Sequence, residues 1–268
     1  SDEELKAFYE VEYFETDKST YIDEIHEDIE WWNIAFNDKY NTFEQFLQPH
    51  QRTILDIGCG YGHFLQAGQK RGWHTTGIEP SKTAFNYSKN ELNLNVLNCV
   101  FDNQTRKSLE PFDVIHLAEV LEHIRDPFDF LVTAYHQLKP GGLMCVEVPN
   151  DYSPFQRSIE QGLGQDPWWV YPKHHLNYFD FESLGKLMEK VGLELVSKDT
   201  TFPMDMFILM GKNYVGNSEL GRACHGLRKN FDQNMSKSGH NGAKKKMYQK
   251  LAEAGIGREA IITARKPL

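Results

Sequence analysis

Between residues 53 and 148 the chain repeats one pattern, a short apolar run followed by a stretch with helical spacing. The runs are Thr53-Ile54-Leu55-Asp56-Ile57, Trp73 to Glu79, Asn95 to Phe101, Phe112 to Leu117 and Leu143 to Val148, and each reads as a buried strand. Helical stretches fill the intervals at His63–Arg71, from Pro80-Ser81 to about Leu92, near Val120–Ile124 and at Phe128–Leu138, with Lys139-Pro140-Gly141-Gly142 as a turn. Strands and helices alternating at this spacing mean a parallel sheet covered by helices on both faces, with right-handed crossovers. The expected fold is therefore α/β, a doubly wound, Rossmann-like sheet.

Where the first strand ends, Asp56-Ile57-Gly58-Cys59-Gly60-Tyr61-Gly62 brings a nearly bare backbone to the edge at which open α/β sheets bind ligands. A three-glycine turn alone could serve a dinucleotide. A diphosphate, however, needs exposed backbone N–H groups at a helix start. Asp56 puts a carboxylate beside that spot, which suits a cationic amino or sulfonium ligand better. Glu79 ends the second strand about twenty residues on, where a carboxylate accepts both ribose hydroxyls. The plainer readings are that Asp56 caps the turn and that Glu79 caps the helix opening at Pro80.

Composition narrows the partners. Lys+Arg of 29 against Asp+Glu of 38 leaves a net charge of −9, which disfavours a nucleic-acid substrate because phosphate neutralisation supplies most of that affinity. Lys244-Lys245-Lys246, with Lys237 and Lys250, reads as a solvated helix face. Four scattered cysteines without a C-x-x-C pair support neither a zinc knuckle nor a disulfide framework. With no apolar run of membrane-span length and no signal-peptide pattern, a cytoplasmic location is expected.

These motifs together resemble the class I S-adenosylmethionine-dependent methyltransferases. Ile54 to Gly62 looks like that family's first motif, and Gly77-Ile78-Glu79-Pro80-Ser81 like its second. Phe112-Asp113-Val114-Ile115, Glu119-Val120-Leu121-Glu122-His123-Ile124 and Leu138-Lys139-Pro140-Gly141-Gly142 resemble the later ones, in order and at family spacing. The resemblance covers about 50–200 plus the last strand. It implies a seven-stranded sheet with an antiparallel last strand, made by Leu193–Thr200 as the sixth strand and Ala260–Arg265 as the seventh. It also implies S-adenosylmethionine as cofactor, with Asp56, Gly58 and Gly60 around the methionine part and Glu79, followed by Pro80, at the ribose. Phe101 and Asp102 would flank the adenine, and Leu117 and Ala118 would lie beneath the sulfonium.

The remaining segments carry the acceptor question. Residues 1–50 read as a helical segment in which Tyr9, Tyr13 and Phe14 share one face, either as core or as a lid over the cofactor, with Tyr13 a candidate cofactor contact. Residues 51–200 with 259–268 read as the core, 151–180 as an irregular active-site insertion, and 201–258 as a helical cap that selects the substrate. Methyl transfer to a hydroxyl needs a base, and histidine is the usual choice. His174 and His175 in the insertion, and His123 in the Glu-His pair, are the candidates, against roles in shaping the pocket or capping a helix.

Glu119, Glu122 and His123 stand at i, i+3 and i+4 and would share a helical face, with ligand types that suit a divalent ion. Their string also resembles that of ubiquinone-biosynthesis O-methyltransferases, for which a metal has been suggested. A hydrogen-bonded helix start is the preferred reading, and no metal is expected. Polar residues in the cap and a likeness to bacterial polysaccharide and natural-product methyltransferases point to a small-molecule hydroxyl acceptor. A sugar, nucleotide-linked or in a glycan, is the expectation; a quinone, polyketide or amine acceptor, or a non-catalytic binding module, are the alternatives.

Overall fold

The computed structural model describes residues 21–172 and 175–268. Helices α1 (Tyr21–Glu27) and α2 (Ile29–Phe46) precede β1 (Thr53–Ile57), α3 (His63–Lys70), β2 (His74–Ile78), α4 (Lys82–Asn90), β3 (Val96–Leu97), α5 (Asn103–Lys107) and β4 (Phe112–Ala118). A 3₁₀ turn (Leu121–His123) leads to α6 (Pro127–Gln137), β5 (Leu138–Pro149), α7 (Pro154–Leu163), α8 (Phe181–Val191) and β6 (Glu194–Asp199). Then come α9 (Asp205–Leu209), α10 (Ser218–Lys237), α11 (Asn241–Glu253) and β7 (Glu259–Arg265).

The strands form one sheet in the order β3-β2-β1-β4-β5-β7-β6. β1 runs parallel to both β2 and β4, with Asp56 beside Gly77 on one side and His116 on the other. Gly141 bonds to Lys266 and Asn150 to Arg258, so β7 runs against β5. The expected seven-stranded, Rossmann-like sheet with its antiparallel last strand is the observed one.

Two compact units make up the chain. One holds the described residues up to Ala118, with Asp129–Cys145 and Arg265–Leu268. The other holds Glu119–Phe128 and Val146–Ala264.

In the first unit α2 is locked to α3 by Tyr40, which is wholly buried. Its ring stacks on Phe64 at 4.7 Å and its hydroxyl donates to the Phe64 carbonyl. Glu44 completes the clamp by accepting from Arg52, Arg71 and the Trp73 indole. Below the glycine turn, Gly77 lets β2 approach closely: a Cβ there would lie 2.6 Å from Cys59 Sγ and 2.8 Å from Leu65 Cδ1.

In the second unit three helix starts have a local chemical cause. Ser153 and Gln156 form a capping box ahead of α7, and Asp180 with Ser183 forms another ahead of α8. Asn217 caps α10 by accepting from Leu220 N–H. Tyr248 on α11 donates to Asp232 on α10, and Lys245 pairs with Asp199 at the end of β6.

Four local expectations change. The third strand is only Val96–Leu97, because Asn98 turns its amide to the Glu79 and Pro80 carbonyls and leaves the ladder. Lys139–Gly142 is no turn but the start of β5, held there by Gly141 and Gly142 pairing with Lys266. Residues 154–163, read as irregular, are a helix because Ser153-Pro154 is a strong start signal. Lys244 faces inward at 2% exposed, so the lysine run is not simply a solvated face.

Gly77→Ala would force Cys59 or Leu65 to move, an overpacking that typically costs about 1–3 kcal/mol. Urea unfolding is expected to show a lower midpoint by that amount; an unchanged midpoint would mean that the contact relaxes freely.

Candidate active site

In the first unit the end of β1 turns through Gly58, Gly60 and Gly62, all with left-handed φ of 76°, 52° and 82°. That conformation strains any residue with a Cβ, so the turn is bare of side chains at alternate positions. Gly58 and Cys59 donate to the Ile78 carbonyl, which fastens the turn to the end of β2. Glu79, the next residue, accepts from Gly60 N–H at 2.8 Å with one oxygen and from Ser81 N–H at 2.8 Å with the other. Burial pushes its carboxyl up to about 7, against the lowering effect of those two bonds. Pro80 follows directly, and Ser81 caps α4 by accepting from Ala84 N–H.

Asp56 is buried and bonds His116 Nδ1 at 2.7 Å across the β1–β4 register. Phe64 lies over that imidazole at 4.1 Å. The Asp56 carboxylate is thus answered by a histidine inside the sheet layer, so it acts on the turn by fixing β1 against β4. Leu117 is fully buried, while Ala118 at the end of β4 is half-buried. Phe101 is buried against Phe130, and Asp102 caps α5 by accepting from Gln104 and Thr105 N–H. A bare turn beside a buried carboxyl, with a small residue at the next strand end, fits a nucleoside with a short charged tail.

The second unit opens on Glu119, a non-glycine residue at φ 54°. Such a conformation is uncommon for a residue with a side chain, and Asn93 and Tyr152 also adopt it. Its N–H donates to the Glu147 carbonyl, and its carboxyl is reached by solvent although protein encloses it deeply. Burial first, then the neighbouring Glu122, Glu259 and Glu147, raise it well above the usual carboxylate range. The left-handed turn also breaks the expected helix at 120–124 into a single 3₁₀ turn, so Glu119, Glu122 and His123 do not share an α-helical face.

His175 takes the place of Glu119 in that grouping. Glu122, His123 and His175 each bring a ligand atom within 4.8 Å of the others, a set able to hold a cation. The His123 and His175 rings meet edge to face at 5.0 Å. Leu176 and Asn177 N–H both donate to the Glu122 carbonyl, which seats the 175–178 segment on the 3₁₀ turn. Asp151 joins through its own N–H to Phe179, and burial pushes its carboxyl up to about 7.

His116, Glu147, Asp151 and Arg258 were not singled out from the sequence. His116 was legible in principle, as a histidine within an apolar strand aligned with Asp56; Arg258 depends on where β7 begins. Tyr13 and His174 lie outside the described residues.

Residues 31–198 match the model of the methyltransferase domain family, well over half of the chain. The chain belongs to that family. It is 36% identical over 128 residues to the ubiquinone biosynthesis O-methyltransferase of Caulobacter vibrioides, covering 46% of this chain and 51% of that protein. With the Coxiella burnetii protein of the same name it shares 30% over 134 residues, 45% of this chain and 57% of the other. The chain thus spans about half the length of the curated relatives it matches. Among solved structures, a SAM-dependent methyltransferase of Archaeoglobus fulgidus superposes with a TM-score of 0.54 at 21% identity, over 87% of this chain and 92% of that one. The Haloferax volcanii methyltransferase complex with the Trm112 activator gives 0.56 at 16%, over 99% and 98%. No helix among the described residues is long and apolar enough to cross a membrane.

The Glu79 carboxyl sets a pH dependence. If Glu79 holds a ribose, the hydroxyls would donate to the ionised form, which is depleted below about pH 7 in the free protein. S-adenosylmethionine affinity is therefore expected to rise as pH increases toward 7 and to level off above it, by up to about tenfold per unit on the acid side. Calorimetry across pH 5.5–8.5 tests this, and Glu79→Gln should flatten the profile; a flat wild-type profile would refute it.

Proposed function

We propose that the chain transfers the methyl group of S-adenosylmethionine to a hydroxyl of a small polar molecule, most consistently a sugar, free, nucleotide-linked or in a glycan. The cofactor, when bound, supplies an electrophilic methyl group on a sulfonium. In this reading the turn at Gly58 and Gly60 and the Glu79 carboxylate seat it, with Leu117 and Ala118 beside the sulfonium and Phe101 and Asp102 beside the adenine. Orientation of the two reactants then supplies much of the rate.

The observation that carries the acceptor assignment is the pairing of His123 with His175 among the carboxyls of Glu119, Glu122 and Asp151. A hydroxyl nucleophile must lose its proton, and an imidazole titrates in the right range to take it. His175 is the assigned base, because it is half-buried whereas His123 is almost wholly buried. Carboxyls suit an acceptor with several hydroxyls, since each can accept or, when protonated, donate a hydrogen bond.

A quinone acceptor is the second reading, favoured by the names of the curated relatives. Enclosed carboxyls argue against it, since a largely apolar ring would bury them without partners.

A turnover screen with labelled S-adenosylmethionine across sugars, nucleotide sugars, glycans, quinones and amines tests the assignment. Methylation of a quinone and of no sugar would overturn it. Against the acceptor found, His175→Ala is expected to lower kcat by about 10²–10⁴ while leaving S-adenosylmethionine affinity unchanged. An unaltered kcat would remove His175 from the mechanism.

A further inference from the structure

In the second unit two buried carboxyl groups have oxygens without hydrogen-bond partners among the described residues. Arg258, just before β7, has Glu259 Oε1 at 3.7 Å from its Nε, with Asp205 also acting on its charge, and its own charge acts on Asp151. Glu122 and Asp151 have no ion pair with a lysine or arginine among the described residues. Both are nearly inaccessible, at 1% and 3% exposed. Among the described residues neither Glu122 oxygen has a hydrogen-bond partner, with His123 Nε2 standing 3.5 Å from Oε1, and Asp151 Oδ2 likewise has none.

Backbone bonds place these groups in one neighbourhood. Glu119 N–H donates to the Glu147 carbonyl at the end of β5. Glu122 is tied to Leu176 and Asn177, Asp151 to Phe179, and Asn150 to Arg258. Buried polar atoms without partners are costly, and natural structures leave few of them without a reason. A ligand that donates several hydrogen bonds supplies the missing bonds to these carboxyl oxygens.

We propose that the acceptor carries an amino group, held as an ammonium by Glu122 and Asp151, so that the sugar methylated on a hydroxyl is an amino sugar. This rests on the sugar reading above. An ammonium has three donors and can serve several carboxyl oxygens at once, whereas a hydroxyl in the same place donates only one. The nitrogen is a recognition group here, and the methylated atom is a separate oxygen.

Calorimetry on the full chain saturated with S-adenosylhomocysteine tests this at pH 7, using glucosamine against glucose and UDP-glucosamine against UDP-glucose. In at least one pair the amino member is expected to bind at least tenfold more tightly than its hydroxyl counterpart. Glu122→Gln and Asp151→Asn should each reduce that preference, and the double variant should bring it below about threefold. Unchanged S-adenosylhomocysteine affinity in the variants shows that they are folded. Equal affinity within both pairs, or a preference that survives the double variant, overturns the proposal. Methyl transfer to sugars without preference for the amino member overturns it while leaving the sugar reading intact. Binding of ethanolamine that depends on Glu122 and Asp151, with no sugar bound, sinks the sugar reading and leaves the ammonium site standing.

Discussion

The donation from Gly60 N–H to the Glu79 carboxylate ties the end of one strand to the end of the next, and the shape of the glycine turn depends on it. Without it, the glycine turn would be held to β2 only by the Gly58 and Cys59 bonds to Ile78. With it, and with the Ser81 N–H, the Glu79 carboxyl is held in one orientation. The cost is a buried acid whose ionised form is disfavoured, which is tolerable because Gly60 and Ser81 each supply a donor. Asp56 and His116 do comparable work one layer below, between β1 and β4.

Two different solutions to buried charge therefore sit in one chain. In the first unit each buried acid has a partner of its own: Asp56 has His116, Glu79 has two amides, and Asp113 has Thr53 and Lys139. In the second unit Glu122 and Asp151 lack such partners and sit high in pKa. A fully partnered set makes a rigid frame, and an incomplete one leaves hydrogen-bonding capacity for something else.

The fold was legible because its signals are local. Strand-length apolar runs, a bare glycine turn and Glu79 at the following strand end all lie within 53–79, where chain order and spatial order coincide. What escaped depends on distant pairing. Gly141 and Gly142 look like a turn until Lys266 supplies the partner strand. The helix expected at 120–124 fails because Glu119 adopts a left-handed φ, which spacing alone does not reveal. His175 came out of the sequence as a candidate, but its meeting with His123 spans fifty residues and needs the seat that Leu176 and Asn177 make on Glu122. Asp151 and Arg258 carry no pattern at all; the bond between Asn150 and Arg258 brings their strand ends together.

The strand order has a consequence for biosynthesis. β6 reaches the sheet only through β7, which lies between it and β5 although some sixty residues separate β6 from β7 in the chain. Until β7 has been synthesised and has emerged, β5 thus keeps an unpaired edge and β6 has no place to dock. Helices 205–209, 218–237 and 241–253 must be made before that edge is filled. The last strand acts as a keystone, and until it arrives the open edge is a template for pairing with other chains.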